Sequence, residues 1–121
     1  MNWDFKEGIP IYTQLIEHIK SAIINGEFQP GQQIPPVREL AIDAGVNPNT
    51  MQRALAEMER EALLYSERTR GRFVTEDTQI LDELRKSLSN TYIKDLFENL
   101  NKLGLTDEEI ILAVQRWKKG E

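Results

Sequence analysis

The chain has no cysteine, which excludes a disulfide framework, a thiolate zinc site and a cysteine nucleophile together and fits a reducing compartment. Its one histidine, His18, has no Asp, Glu or His at ligand spacing. It is therefore expected at the surface of a helix, not as a metal ligand or general base. No stretch approaches the roughly 18 apolar residues of a membrane span. The amino terminus, MNWDFKEGIPIY, lacks the basic start and apolar run of a signal peptide. A cytoplasmic protein that does not engage a membrane is expected. No nucleophile–base pair, metal set or phosphate loop is present, so an enzyme is not expected, nor a cofactor. Positive charge is scarce as well: 15 Lys and Arg against 20 Asp and Glu give a formal charge of −5 over 121 residues. Residues 1–76 carry 8 basic against 11 acidic side chains and residues 77–121 carry 7 against 9. Neither part is basic, so any nucleic-acid footprint has to be local.

What is there centres on Pro35 to Arg60, PPVRELAIDAGVNPNTMQRALAEMER. Pro36 is placed to open a short helix and Gly45 to close it in a left-handed conformation. Asn47 as N-cap and Pro48 behind it open a second helix. Its apolar residues Met51, Ala54, Leu55 and Met58 fall at i, i+3, i+4 and i+7 and face a core. The other face presents Asn49, Gln52 and Arg53, with Thr50 at its margin, which are side chains that read base edges in a major groove. Helix, glycine turn and helix with a polar outer face is the helix-turn-helix pattern.

Before it, Ile9 to Asn25 reads as a helix opened by Pro10, with a stripe of Leu15, Ile16, Ile19, Ala22 and Ile23 and a stop at Gly26. Gln33–Ile34 is expected as a short strand after the Pro30–Gly31 turn. After it, an extended run, LLYSE, leads into Glu67 to Thr75, ERTRGRFVT, which reads as a hairpin with Gly71 at its tip. A hairpin after a helix-turn-helix is a wing. Arg68, Arg70 and Arg72 flank the glycine that lets backbone approach a partner, which suits phosphate or minor-groove contact. The same arginines could instead keep a solvated hairpin edge from aggregating.

In order and spacing, IPIYTQL, NGEFQPGQQIPPVRELA, AGVNPNTMQRALAEMERE and RTRGRFV resemble the winged helix-turn-helix domain of the GntR family of bacterial transcription regulators. The Asn-Pro-Asn-Thr helix start and the short tail resemble its YtrA-type branch in particular. The resemblance spans about residues 9–75. It implies a homodimeric regulator, a repressor by preference, bound to an inverted-repeat operator in double-stranded DNA. Contacts would come from positions matching Arg38, Asn49, Thr50, Gln52, Arg53, Arg70 and Gly71. Three positions depart from the family pattern. Pro36 stands where many members have Ser. Pro48 and Asn49 stand where many have an Arg near the start of the recognition helix. Ala62 replaces a usual glycine, so a tighter turn or a longer helix is expected there.

Beyond the wing, Ile80, Leu81, Leu84, Leu88, Tyr92, Leu96, Phe97, Leu100 and Leu103 recur at helical intervals, as one helix or as two broken near Ser87 to Thr91. Thr106 with Glu109 is a capping box that opens a last helix lined by Ile110, Ile111, Val114 and Trp117. The expected architecture is thus mainly α with a small β-wing: a DNA-binding domain over 1–76 and a helical dimerisation hairpin over 77–121. Leu84, Leu88, Leu96, Leu100, Ile111 and Trp117 are the interface candidates. Folding of these helices back onto their own winged domain is the other reading. A winged-helix module that binds protein is the alternative function, and the acidic balance would suit it. Nothing in the sequence identifies a small-molecule effector.

Overall fold

The computed structural model describes residues 1–121. In chain order it contains α1 (Ile11–Ile24), α2 (Val37–Ala44), α3 (Pro48–Arg60), β1 (Leu64–Glu67), β2 (Gly71–Val74), α4 (Thr78–Lys102) and α5 (Asp107–Lys119). Five helices and one two-stranded antiparallel sheet match the expected class. The chain divides into two compact units, Met1–Leu84 and Arg85–Glu121.

In the first unit α3 packs against both α1 and α2. Met51, Ala54, Leu55 and Met58 turn inward from α3 and have no exposed surface. Leu15, Ile19, Ala22 and Ile23 of α1 and Leu40 and Ala41 of α2 are also buried. Each large aliphatic side chain taken from water contributes about 1.5–3 kcal/mol, so this three-helix core holds the unit together. Ile16 is only half-buried. Pro10 and Pro36 each stand one residue earlier than expected, at the N-cap, with ψ of 136° and 155°.

The wing pairs Leu64 with Val74, Tyr65 with Phe73, Ser66 with Arg72 and Glu67 with Gly71. Leu63, Leu64, Phe73 and Val74 are buried and root it to α3. The strand expected at Gln33–Ile34 is a single bridge from Gln33 to Phe73, extended by Ile34 N–H donating to the Arg72 carbonyl at 3.0 Å. Ala62 follows α3 in the left-handed conformation, with φ of 63°. The helix is therefore not prolonged; alanine takes the shape that a glycine would take at less strain.

The amino-terminal arm lies on α1 through Gln14, which is buried. The Gln14 amide accepts from Lys6 N–H at 2.7 Å and donates to the carbonyls of Lys6 and Ile9, both at 2.9 Å. His18, expected on the open surface, is half-buried, with the rings of Trp3 and Phe5 each 5.5 Å away. The arm brings the aromatic side chains to it.

α4 starts where Asp77 Oδ1 accepts from Gln79 N–H at 3.0 Å. It is unbroken through Ser87 to Thr91, where Thr91 Oγ1 donates back to the Ser87 carbonyl. Leu84 is buried. In the second unit, both hydrogen bonds of the Thr106–Glu109 capping box form, at 3.1 and 3.2 Å. α5 carries Asp107, Glu108 and Glu109 in its first turn and Arg116, Lys118 and Lys119 in its last, each sign at the end where the helix dipole favours it.

Candidate nucleic-acid interface

The turn between α2 and α3 is built by local chemistry. Gly45 takes φ of 69°, and Val46 N–H reaches back to the Ala41 carbonyl at 3.0 Å, closing α2 as a glycine cap. Asn47 Oδ1 then accepts from Asn49 N–H at 2.7 Å, and Pro48 occupies the first helical position of α3. These residues fix the direction of α3, whose buried stripe leaves Asn49, Gln52 and Arg53 exposed and Thr50 half-buried on the outer side. Arg38 is exposed in the first turn of α2.

The arginines of this region differ in what already holds them. Arg38, Arg53 and Arg68 have no acidic partner. The Arg53 guanidinium lies over the Tyr12 ring, 4.7 Å from its centre. Arg70 Nη1 is 2.5 Å from Glu67 Oε2, and its guanidinium also lies 5.0 Å from the Phe73 ring centre. Arg72 differs most from the sequence expectation of a wing-edge contact. Its side chain is only 18% exposed; Nε donates to Glu59 Oε1 of α3 and Nη1 to Gln52 Oε1 at 3.4 Å.

Glu59 also accepts from Ser66 Oγ at 2.6 Å. Burial pushes the Glu59 carboxyl up, but the Ser66 hydroxyl and the Arg72 guanidinium outweigh it and hold the group below the usual carboxylate range. Glu57, near the end of the same helix, is held low chiefly by its hydrogen bond from Arg60.

Gly71 sits at φ of 110° with the Gln33 amide nitrogen 3.0 Å from where a Cβ would stand, and that amide donates to the Arg70 carbonyl. Side chain and backbone freedom are therefore both restricted there, and the wing tip is pinned from the Gln32–Ile34 edge. The tip also contains Thr69 at φ of 69°, a conformation uncommon for a β-branched residue.

The structure thus joins Gln52 to Arg72 and brings recognition helix and wing into one side-chain network. Sequence reasoning missed Tyr12, Gln33 and Glu59. Glu59 was findable, since it lies seven residues after Gln52 and so on the same face of α3 two turns later. Tyr12 and Gln33 had no local signal, because their contacts depend on how separate segments cross.

In the second unit Ile110 is the one buried apolar residue. Tyr92, Ile93, Leu96, Leu103, Ile111, Leu112, Val114 and Trp117 are exposed, Trp117 by 80%. They make up eight of the twelve large exposed hydrophobic residues of the whole chain.

Residues 11–74 match the model of the gntR family of bacterial regulatory proteins. The chain is 36% identical over 120 residues to the HTH-type transcriptional regulator YhcF of Bacillus subtilis, covering 99% of each. It is 32% identical over 108 residues to the HTH-type transcriptional repressor YtrA of the same organism, covering 88% of this chain and 83% of the repressor. A GntR family transcriptional regulator from Listeria monocytogenes superposes with a TM-score of 0.82 at 34% identity, over 93% of this chain and 98% of that one. The DNA-binding domain of AraR, solved in complex with operator ORX1, superposes with a TM-score of 0.56 at 32% identity, over 62% of this chain and 96% of that one.

Proposed function

Since the chain belongs to the GntR family of bacterial regulatory proteins and is a DNA-binding transcription regulator, not an enzyme, we propose that it represses transcription in the cytoplasm by binding an inverted-repeat operator as a homodimer. In this reading residues 1–76 are the DNA-binding part, and α3 enters the major groove. Asn49, Thr50, Gln52 and Arg53 face base edges there. Arg38, Arg68 and Arg70 neutralise phosphates, and Gly71 lets the wing backbone approach the sugar-phosphate strand. The observation that carries the DNA reading is the exposed polar face of α3 held by the Gly45–Asn47–Pro48 turn, with Arg53 on that helix, Arg38 on α2 and Arg68 in the wing turn, none of them paired with an acid. It is supported by the likeness to a domain solved on operator DNA.

The homodimer rests on the second unit. A second copy would cover the exposed Leu96, Ile111 and Trp117 and the half-buried Leu88 and Leu100, and would fix the distance between two recognition helices. Leu84 is already covered within its own chain and has no such role. Sequencing the fragments that the full chain retains from random double-stranded DNA tests the reading. An enriched sequence repeated in inverted orientation is expected; no enrichment over the starting pool overturns it.

A further inference from the structure

Gln52 stands on the outward face of α3, yet one end of its amide is engaged. Its Oε1 accepts from Arg72 Nη1 at 3.4 Å, which engages one of the oxygen's two lone pairs and leaves both Nε2 hydrogens unpaired. Arg72 is not a mobile wing side chain that could release it at no cost. Its side chain is largely covered, and its Nε is bound to Glu59 Oε1, an oxygen that the Ser66 hydroxyl also approaches at 2.6 Å. Ser66 and Arg72 face each other across the β-ladder, so the wing carries both groups to α3 as a unit.

A free glutamine amide reads adenine with two bonds, donating to N7 and accepting from the N6 amine. With its oxygen turned to Arg72, which engages one of that oxygen's two lone pairs, the same amide offers its Nε2 donors more readily than its acceptor. It then matches an edge that offers acceptors, the N7 and O6 of guanine. The amine of adenine or cytosine has to compete with Arg72 for the oxygen, which is costly in a desolvated groove.

We propose that Arg72 is a positioning residue that holds the oxygen of Gln52 and thereby makes Gln52 select guanine over adenine at one position of each half-site. Glu59 holds Arg72 in place. This inference rests on the reading of α3 as the base-reading helix, and it moves Arg72 from contacting DNA to orienting the residue that does.

The test is the base preference of full-length chains in a selection from random double-stranded DNA. The wild type, Gln52→Ala, Arg72→Met and Glu59→Gln are compared, with thermal melting as the check on folding. The position that Gln52 reads is the one that Q52A flattens. There the wild type is expected to favour guanine over adenine by about tenfold, within the range of a good two-bond base contact. R72M keeps the apolar stem but frees the amide, and should bring adenine level with guanine or ahead of it at that position alone. E59Q should shift the ratio the same way by a smaller factor, and it decides the matter should R72M not fold. R72M or E59Q binding more weakly with an unchanged base profile overturns the proposal and makes Arg72 a phosphate contact. A wild-type operator with no position sensitive to Q52A overturns it too. Absence of any wild-type enrichment defeats the underlying DNA reading instead, and is distinguishable because no profile then exists for any chain.

Discussion

The Arg53 guanidinium on α3 lies 4.7 Å from the centre of the Tyr12 ring on α1. An exposed cation over an aromatic face gains about 0.5–1 kcal/mol, and here it is ordered before DNA arrives. Tyr12→Phe should therefore leave operator affinity unchanged, while Tyr12→Ala should weaken it by roughly two- to fivefold, as that energy implies. Equal affinity of all three proteins in a fluorescence titration would show that Tyr12 does not set the position of Arg53.

Glu67 Oε2, 2.5 Å from Arg70 Nη1, competes with any phosphate for that guanidinium. Glu67→Gln removes that competitor and one negative charge near the duplex. Tighter binding at low salt is expected, with log Kd depending on log salt more steeply by about one unit per chain as one more phosphate is engaged. An unchanged slope would place Arg70 outside the phosphate contacts.

Ala62 at φ of 63° bears a left-handed strain of roughly 1–2 kcal/mol, against about 0.5–1 kcal/mol of extra chain entropy lost by a glycine. Ala62→Gly should raise stability by up to about 1.5 kcal/mol, read from the urea midpoint at unchanged m-value. A lower midpoint would mean that the alanine methyl contributes packing that outweighs the strain.

Glu59 ionises more readily in the folded chain than in the unfolded one, because the Ser66 and Arg72 bonds outweigh its burial. A depressed carboxylate pKa contributes stability that is present above the unfolded value, about 4.3, and is lost as pH falls through the folded value. Wild type should thus exceed Glu59→Gln in stability near neutral pH, with the gap closing below roughly pH 4. A gap that stays constant in urea titrations across that range would show that the charge of Glu59 contributes nothing.

What the sequence disclosed follows the range of the forces involved. The α2–α3 turn was legible because Gly45, Asn47 and Pro48 act on backbone atoms within a few residues, and so do Thr106 and Glu109 at α5. Pro10 and Pro36 are N-caps and not first helical residues because proline fixes φ, whereas ψ decides whether it belongs to the helix. The low-propensity run from Ser87 to Thr91 did not break α4, since Thr91 found a carbonyl one turn back within the helix. The surroundings of His18 and the hold on Arg72 were hidden for a different reason. Trp3 and Phe5 meet His18, and Glu59 meets Arg72, across segments with no shared period. Such contacts exist only once the elements have crossed.

The proposed homodimer reads two half-sites, and the stoichiometry of the full chain on its selected sequence shows whether it does. Titration of one inverted repeat and of one isolated half-site, with sedimentation to count chains, should give two chains on the repeat. Coupling two sites raises the effective concentration of the second to roughly millimolar, so the repeat should be bound about 10² or more times tighter than the half-site. A single chain on the repeat, or equal affinity for repeat and half-site, would contradict the homodimer.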